Sequence, residues 1–176
     1  MPYPHQDTTR NAEVFRDLLI REVRRRLFDE SIPRLRSCLH ALSEEEIWSR
    51  PNEHSNSVGN LVLHLCGNLR QWVLSGLAKQ ADRRDRQAEF SRRDPLPASE
   101  LLRMLDQLAE EVDAALNEVQ AEDLLSAHEV QTFRESGLSI LIHVVEHFSY
   151  HVGQITYATK AARDMDMGYY KGVRLE

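Results

Sequence analysis

The stretch HVVEHFSYHVGQI, His143 to Ile155, carries three of the chain's eight histidines at four-residue spacing. Histidine is the side chain best suited to hold a transition metal or move a proton near neutral pH. On a helix, imidazoles at i and i+4 stand one turn apart and can converge on one ion, as two histidines do in the HExxH zinc motif. Two turns are too far, since His143 and His151 are separated by about 12 Å along a helix axis. One helix therefore offers His143/His147 or His147/His151 as a pair, and a third ligand must come from elsewhere. His64, alone among leucines in NLVLHLCGN, has the right chemistry. Two ligands plus one, with a place left for water, is the layout of a catalytic first-row metal site.

These histidines need helices to present them, and the sequence supplies helical periodicity almost throughout. Val14, Leu18, Leu27, Leu35, Leu39 and Leu42 recur mostly at helical separations and predict a first helix over about 12–42. Pro33 either kinks it or starts a second helix capped by Ser31. LSEEEIWSRPNEHSNS reads as a loop, after which Asn56 or Ser57 caps a helix over 58–78. On that helix Leu65, Val58, Leu69 and Trp72 form an apolar stripe, flanked by Asn60, His64, Asn68 and Gln71. KQADRRDRQAEFSRRDPLP is a polar connection, and one this long in a compact domain is usually functional or makes a crossover. Leu101, Leu105, Leu108, Val112 and Leu116 predict a helix over 99–119. HEVQTFRES favours a short extended stretch. Gly137 or Ser139 opens the last helix, 138–162, on which the three histidines border the apolar face. The expected architecture is a single all-α domain over 1–176, a bundle of four long amphipathic helices.

Composition excludes several classes. The chain has 176 residues, 41% hydrophobic and 28% charged, with no repeat or low-complexity tract, as in an ordinary soluble globular domain. Its net charge of −6 argues against general phosphate-backbone binding, so no nucleic acid is expected as a partner. The basic runs REVRRR and DRRDR are flanked by acids and read as solvated faces. Apolar windows are interrupted by His, Asn, Arg and Gln, so no membrane span is expected, and MPYPHQDTTR lacks an apolar signal region, so a cytoplasmic protein is expected. Cys38 and Cys66 lie on separate predicted helices without CxxC spacing and read as buried free thiols.

The stretches WSRPNEHSNSVGNLVLHLCGNLRQWVLSGL, DRRDRQAEF and HVVEHFSYHVGQITYATK together resemble the DinB-like superfamily of metal-binding helical proteins, over nearly the whole chain. The resemblance implies a four-helix bundle with crossover connections, often a homodimer, with three histidines holding a divalent metal such as zinc or nickel. By position it implies that the ligands are His64, His147 and His151, which leaves His143 as the extra histidine. Some members use the metal to activate a low-molecular-weight thiol (glutathione, mycothiol or bacillithiol) for transfer or isomerisation. The expected function is a thiol-dependent S-transferase or a hydrolase acting on a small molecule, the alternative being a non-catalytic metal-binding or stress-response dimer. His143, Glu146, Asn60, Asn68, Gln71 and Gln154 are candidates for supporting the ligands or contacting substrate, and Trp48 with Arg50 for covering the site from its loop.

Overall fold

The computed structural model describes residues 5–174. The first long helical run comprises α1 (His5–Arg24), a π-helical segment (Arg25–Ser31) and α2 (Ile32–Ala41). Of the two alternatives for Pro33 the second holds in part: α2 begins with Ser31 in the cap position and Pro33 in its first turn, but without a break from the π segment. Ser31 stays helical with no cap bond from its side chain, and the Ile32 N–H reaches back five residues to the Leu27 carbonyl. The wider turn leaves room for a ring that would press on the carbonyl four residues earlier in a regular helix.

The expected loop after α2 contains α3 (Glu44–Trp48), closed by a capping box: the Glu46 N–H donates to the Ser43 Oγ, and the Ser43 N–H donates to the Glu46 carboxylate at 2.7 Å. Ser57 caps α4 (Val58–Leu69), which continues as a second π segment (Arg70–Leu77). The polar connection folds into α5 (Arg86–Ser91), capped by Asp85, and leads to the amphipathic α6 (Ala98–Glu118). The short α7 (Ala121–Leu125) precedes a hairpin, β1 (Ala127–Val130) and β2 (Phe133–Ser136), paired antiparallel with Val130 opposite Phe133. This hairpin is the extended stretch expected in HEVQTFRES. Ser136, not Gly137 or Ser139, caps α8 (Gly137–Arg163), its side chain accepting from the Ser139 N–H.

The core lies where α2, α4, α6 and α8 meet, with Leu35, Leu65, Leu69, Leu105, Leu108 and Phe148 sealed from solvent. Each such side chain contributes about 1.5–3 kcal/mol by leaving water. Eleven of the twelve residues of α4 are buried, polar ones included. The reason is the polar connection: α5 packs along the Asn60/His64 flank that the helical wheel would leave in water. No helix among the described residues is long and apolar enough to cross a membrane.

Candidate metal centre

The α4 and α8 helices face each other so that His64, His147 and His151 each offer a ring nitrogen, and these atoms all lie within 4.8 Å of one another. The closest pair is His64 Nε2 and His147 Nε2, at 3.1 Å. Ring centroids are 4.9 Å apart for His64 and His147, 5.0 Å for His64 and His151, and 4.6 Å for His147 and His151. His64 is only 4% exposed, while the two α8 rings are half-buried.

Two of the three rings are held from behind. Glu89 on α5 places Oε2 3.0 Å from His64 Nδ1, and Gln154 places Oε1 2.7 Å from His151 Nδ1. Carboxylate and amide oxygens only accept, so each Nδ1 carries the proton and each Nε2 keeps its lone pair. The Arg84 guanidinium also lies 3.1 Å from His64 Nδ1. Both nitrogens are donors in that tautomer, so this is a contact and not a hydrogen bond. Arg84 instead donates to both Glu89 oxygens, at 2.7 and 2.8 Å, and the pair is buried, with side chains 4% and 9% exposed. Burial pushes the Glu89 carboxyl up, but the hydrogen bonds from Arg84 and His64 outweigh it and hold it below the usual carboxylate range. Phe90 covers the His64 ring at 4.6 Å.

Burial also sets the state of the α8 imidazoles. It lowers His147 to about 3, with the charges of His151, His64, His143 and Arg84 acting in the same direction. His151 is likewise lowered by burial, against the opposing hydrogen bond of Gln154. Near pH 7 these rings are neutral, the form that binds metal. His147 Nδ1 is buried without a hydrogen-bond partner, while its Nε2 stands 3.1 Å from His64 Nε2, which keeps its lone pair, so in the metal-free chain the proton belongs on His147 Nε2, where it donates to His64.

The other residues singled out in the sequence divide into supports and bystanders. Asn60, fully buried, accepts from Arg50 at 2.6 Å and Ser57 at 2.7 Å, and donates to the Glu89 carbonyl at 2.8 Å, so it anchors α5 and does not touch the imidazoles. Gln71 accepts from Arg84 at 2.8 Å and from Gln131 of the hairpin turn at 2.6 Å, fixing the arginine that holds Glu89. His143 leaves the cluster: its ring stacks on Trp72 at 3.8 Å and lies 5.4 Å from His147. Asn68 is buried on α4 without a hydrogen bond to the three rings, and Glu146 is exposed. Trp48 does not cover the site. Its ring packs on Gly59, where a Cβ would stand 2.8 Å from it, and its indole N–H donates to the Leu96 carbonyl at 3.0 Å.

Glu89, Arg84 and Phe90 were not read from the sequence as site residues. Their signal was Gly67, three residues beyond His64. A glycine inside a helix costs about 1 kcal/mol relative to alanine and calls for a packing reason. A Cβ there would run into the Glu89 carboxylate. Cys66, directly before Gly67 on α4, is not among the residues whose ligand atoms converge, and burial pushes its thiol up to about 12.

Residues 18–170 match a protein family described as Protein of unknown function (DUF1572). The chain belongs to this family. Among solved structures, this DUF1572 member resembles a DinB-like protein from Bacillus subtilis, with a TM-score of 0.62 and 15% identity over 85% of this chain and 94% of that one. It also resembles a DinB-like protein from Bacillus cereus, again with a TM-score of 0.62, at 16% identity over 77% of this chain and 87% of that one. The fold is therefore DinB-like. No curated protein matches the sequence.

The donor set of this DinB-like chain fits a divalent metal. Three imidazoles from two helices converge, and two have their Nε2 lone pairs freed by oxygens behind them, the arrangement common around zinc. Imidazole suits zinc, nickel, copper and iron alike, so the donors do not name the metal.

Proposed function

We propose that the protein is a metal-dependent enzyme of the thiol-dependent transferase or hydrolase kind, with zinc or nickel held by His64, His147 and His151. The observation that carries this reading is the convergence of the three ring nitrogens within 4.8 Å. When bound, the metal supplies Lewis acidity that lowers the pKa of a water or thiol. The chain's own residues prepare that chemistry. Glu89 and Gln154 orient two imidazoles, and Arg84 keeps Glu89 ionised. Burial keeps His147 and His151 unprotonated. Among the described residues the cluster offers three donors, the number typical of catalytic zinc sites, whereas structural sites use four. That count favours catalysis over a non-catalytic metal-binding or stress-response dimer.

The substrate in this reading is a small molecule, with a low-molecular-weight thiol such as glutathione, mycothiol or bacillithiol as co-substrate. A homodimer is supported by exposed Val14, Phe15 and Leu18 on α1. A cytoplasmic setting is supported by two buried free cysteines, and the net charge of −6 argues against nucleic acid. The test is metal analysis of untagged protein, followed by assay of each thiol with the electrophile monochlorobimane. One ion per chain and a metal-dependent rate are expected. Stoichiometric metal with no acceleration of thiol transfer or of ester hydrolysis would favour the non-catalytic dimer.

A further inference from the structure

Gln154 has a second neighbour besides His151. It lines a groove of about 890 Å3 running along α8, between that helix and the segment joining α3 to α4. Tyr150 lines the same groove, and its ring meets His151 edge-on at 5.0 Å. Two lining residues therefore touch a candidate metal ligand, so one end of the groove lies next to the centre, although none of the three histidines is itself part of the groove wall. Near the other end stands Glu46, paired with Arg163 at 3.3 Å. Between them the walls include Leu42, Val58, Leu61 and Ala158. The volume suits a small molecule.

Gly153 separates this groove from an incidental depression. It lies in the middle of α8, where glycine costs about 1 kcal/mol relative to alanine. Gly59 and Gly67 have a packing reason, since a Cβ would strike Trp48 or Glu89. At Gly153 a Cβ would meet nothing within 4 Å, so packing within the chain does not explain the glycine, which leaves the groove wall bare at this point.

The charges choose the class of ligand. No lysine or arginine lines the groove, and its carboxylate, Glu46, already has Arg163 and the Ser43 N–H as partners. An anion would lose hydration there without a countercharge. The arginine-rich cleft beside α5, lined by Arg70, Arg84, Arg92 and Arg103 together with Glu89, backs onto His64 through Arg84 and Glu89, and its guanidinium groups suit an anion, as the groove along α8 does not.

We propose that this groove binds the body of an uncharged, apolar or aromatic small-molecule substrate, whose reacting group lies at the His151 end. This rests on the reading of the centre as catalytic and adds the substrate class to it. In a thiol transfer, the groove holds the electrophile and not the charged thiol.

The test uses the full chain and the uncharged fluorophore N-phenyl-1-naphthylamine, with its anionic relative 1-anilinonaphthalene-8-sulfonate as comparison, while zinc affinity is measured in parallel. Native protein should bind the neutral probe saturably, at one per chain, and at least about ten-fold more tightly than the anion. Gly153→Leu, a helix-favouring change at an exposed position, should weaken neutral-probe binding by about ten-fold or more and leave zinc affinity within about three-fold. Ile142→Ala, exposed on α8 outside the groove, should change neither. Equal or tighter binding of the anion, or neutral-probe binding indifferent to Gly153→Leu, would overturn the proposal even if zinc binds as expected. A native dimer that excludes the probe and dissociates in Gly153→Leu would overturn it too, by showing a second copy in the groove. Probe binding that follows these expectations in a chain that takes up no metal would leave the groove standing and refute the metal reading instead.

Discussion

At the scale of single residues, the roles of the histidines follow from what stands behind each ring. Glu89→Gln keeps an acceptor near His64 but removes the charge that pairs with Arg84. Metal affinity should fall about 10- to 100-fold, the usual effect of losing an oxygen that orients a ligand. Calorimetric titration with zinc checks this, and an affinity within about two-fold of native would count against an orienting role for Glu89. The depressed histidines also make the metal-free protein acid-sensitive. His147, lowered from 6.5 to about 3, binds its proton more readily in the unfolded chain, so stability is full above about 6.5 and declines as pH falls toward 3. Glu89 acts in the same direction at the lower end, its contribution being lost as pH falls through its depressed value. The urea midpoint of metal-free protein should therefore be lower at about pH 4.5 than at about pH 7.5, and less so in His147→Gln. A midpoint equal or higher in acid would contradict the buried, neutral imidazole.

At the scale of elements, the site depends on α5, a helix too short to have a periodic signal. The connection that contains it read as a functional segment or a crossover, with only its DRRDR run taken as solvated, and it buries the flank of α4. The histidines were legible as candidate ligands because histidine is rare and its spacing is helical, while the choice of His147 and His151 came only from the family resemblance. Glu89 was not, because one acid among the arginines of DRRDRQAEF looks like a surface charge until Gly67 makes room for it. The capping box that starts α3 was present as Ser43 and Glu46 in LSEEE, but Pro51 and the Asn/Ser cluster behind it made the whole segment read as loop. Trp48 was placed over the site because it lies in that segment, whereas the absent side chain of Gly59 draws it onto α4. Asn60 is the residue that ties α5 down. Asn60→Ala leaves the Glu89 carbonyl and the Arg50 guanidinium without their partner and should cost about 1–3 kcal/mol by urea denaturation. It should also weaken zinc binding, since Glu89 would lose its anchor. Loss of stability with native metal affinity would show that α5 positions Glu89 without help from Asn60.

At the scale of the whole molecule, the centre joins α4 to α8, two elements whose ligands are 83 residues apart in sequence between His64 and His147. Binding that needs both helices in place stabilises the folded chain by mass action, about 2.7 kcal/mol at a free metal concentration 100 times the dissociation constant. Thermal unfolding with and without zinc should show this gain in native protein and not in His64→Ala, and an equal gain in both would place the bound ion elsewhere. The bundle itself was legible from leucine periodicity, because long amphipathic helices have few ways to bury their apolar faces. The arrangement of ligands in space was not, since helical spacing alone left two pairs open on α8. The most direct test of the central claim is calorimetric titration of native protein, His64→Ala, His147→Ala, His151→Ala and His143→Ala with zinc and nickel. One ion per chain, lost in the first three variants and kept in His143→Ala within about 10- to 100-fold of native affinity, is the expected result. Retention of metal by His151→Ala together with its loss in His143→Ala would contradict the account.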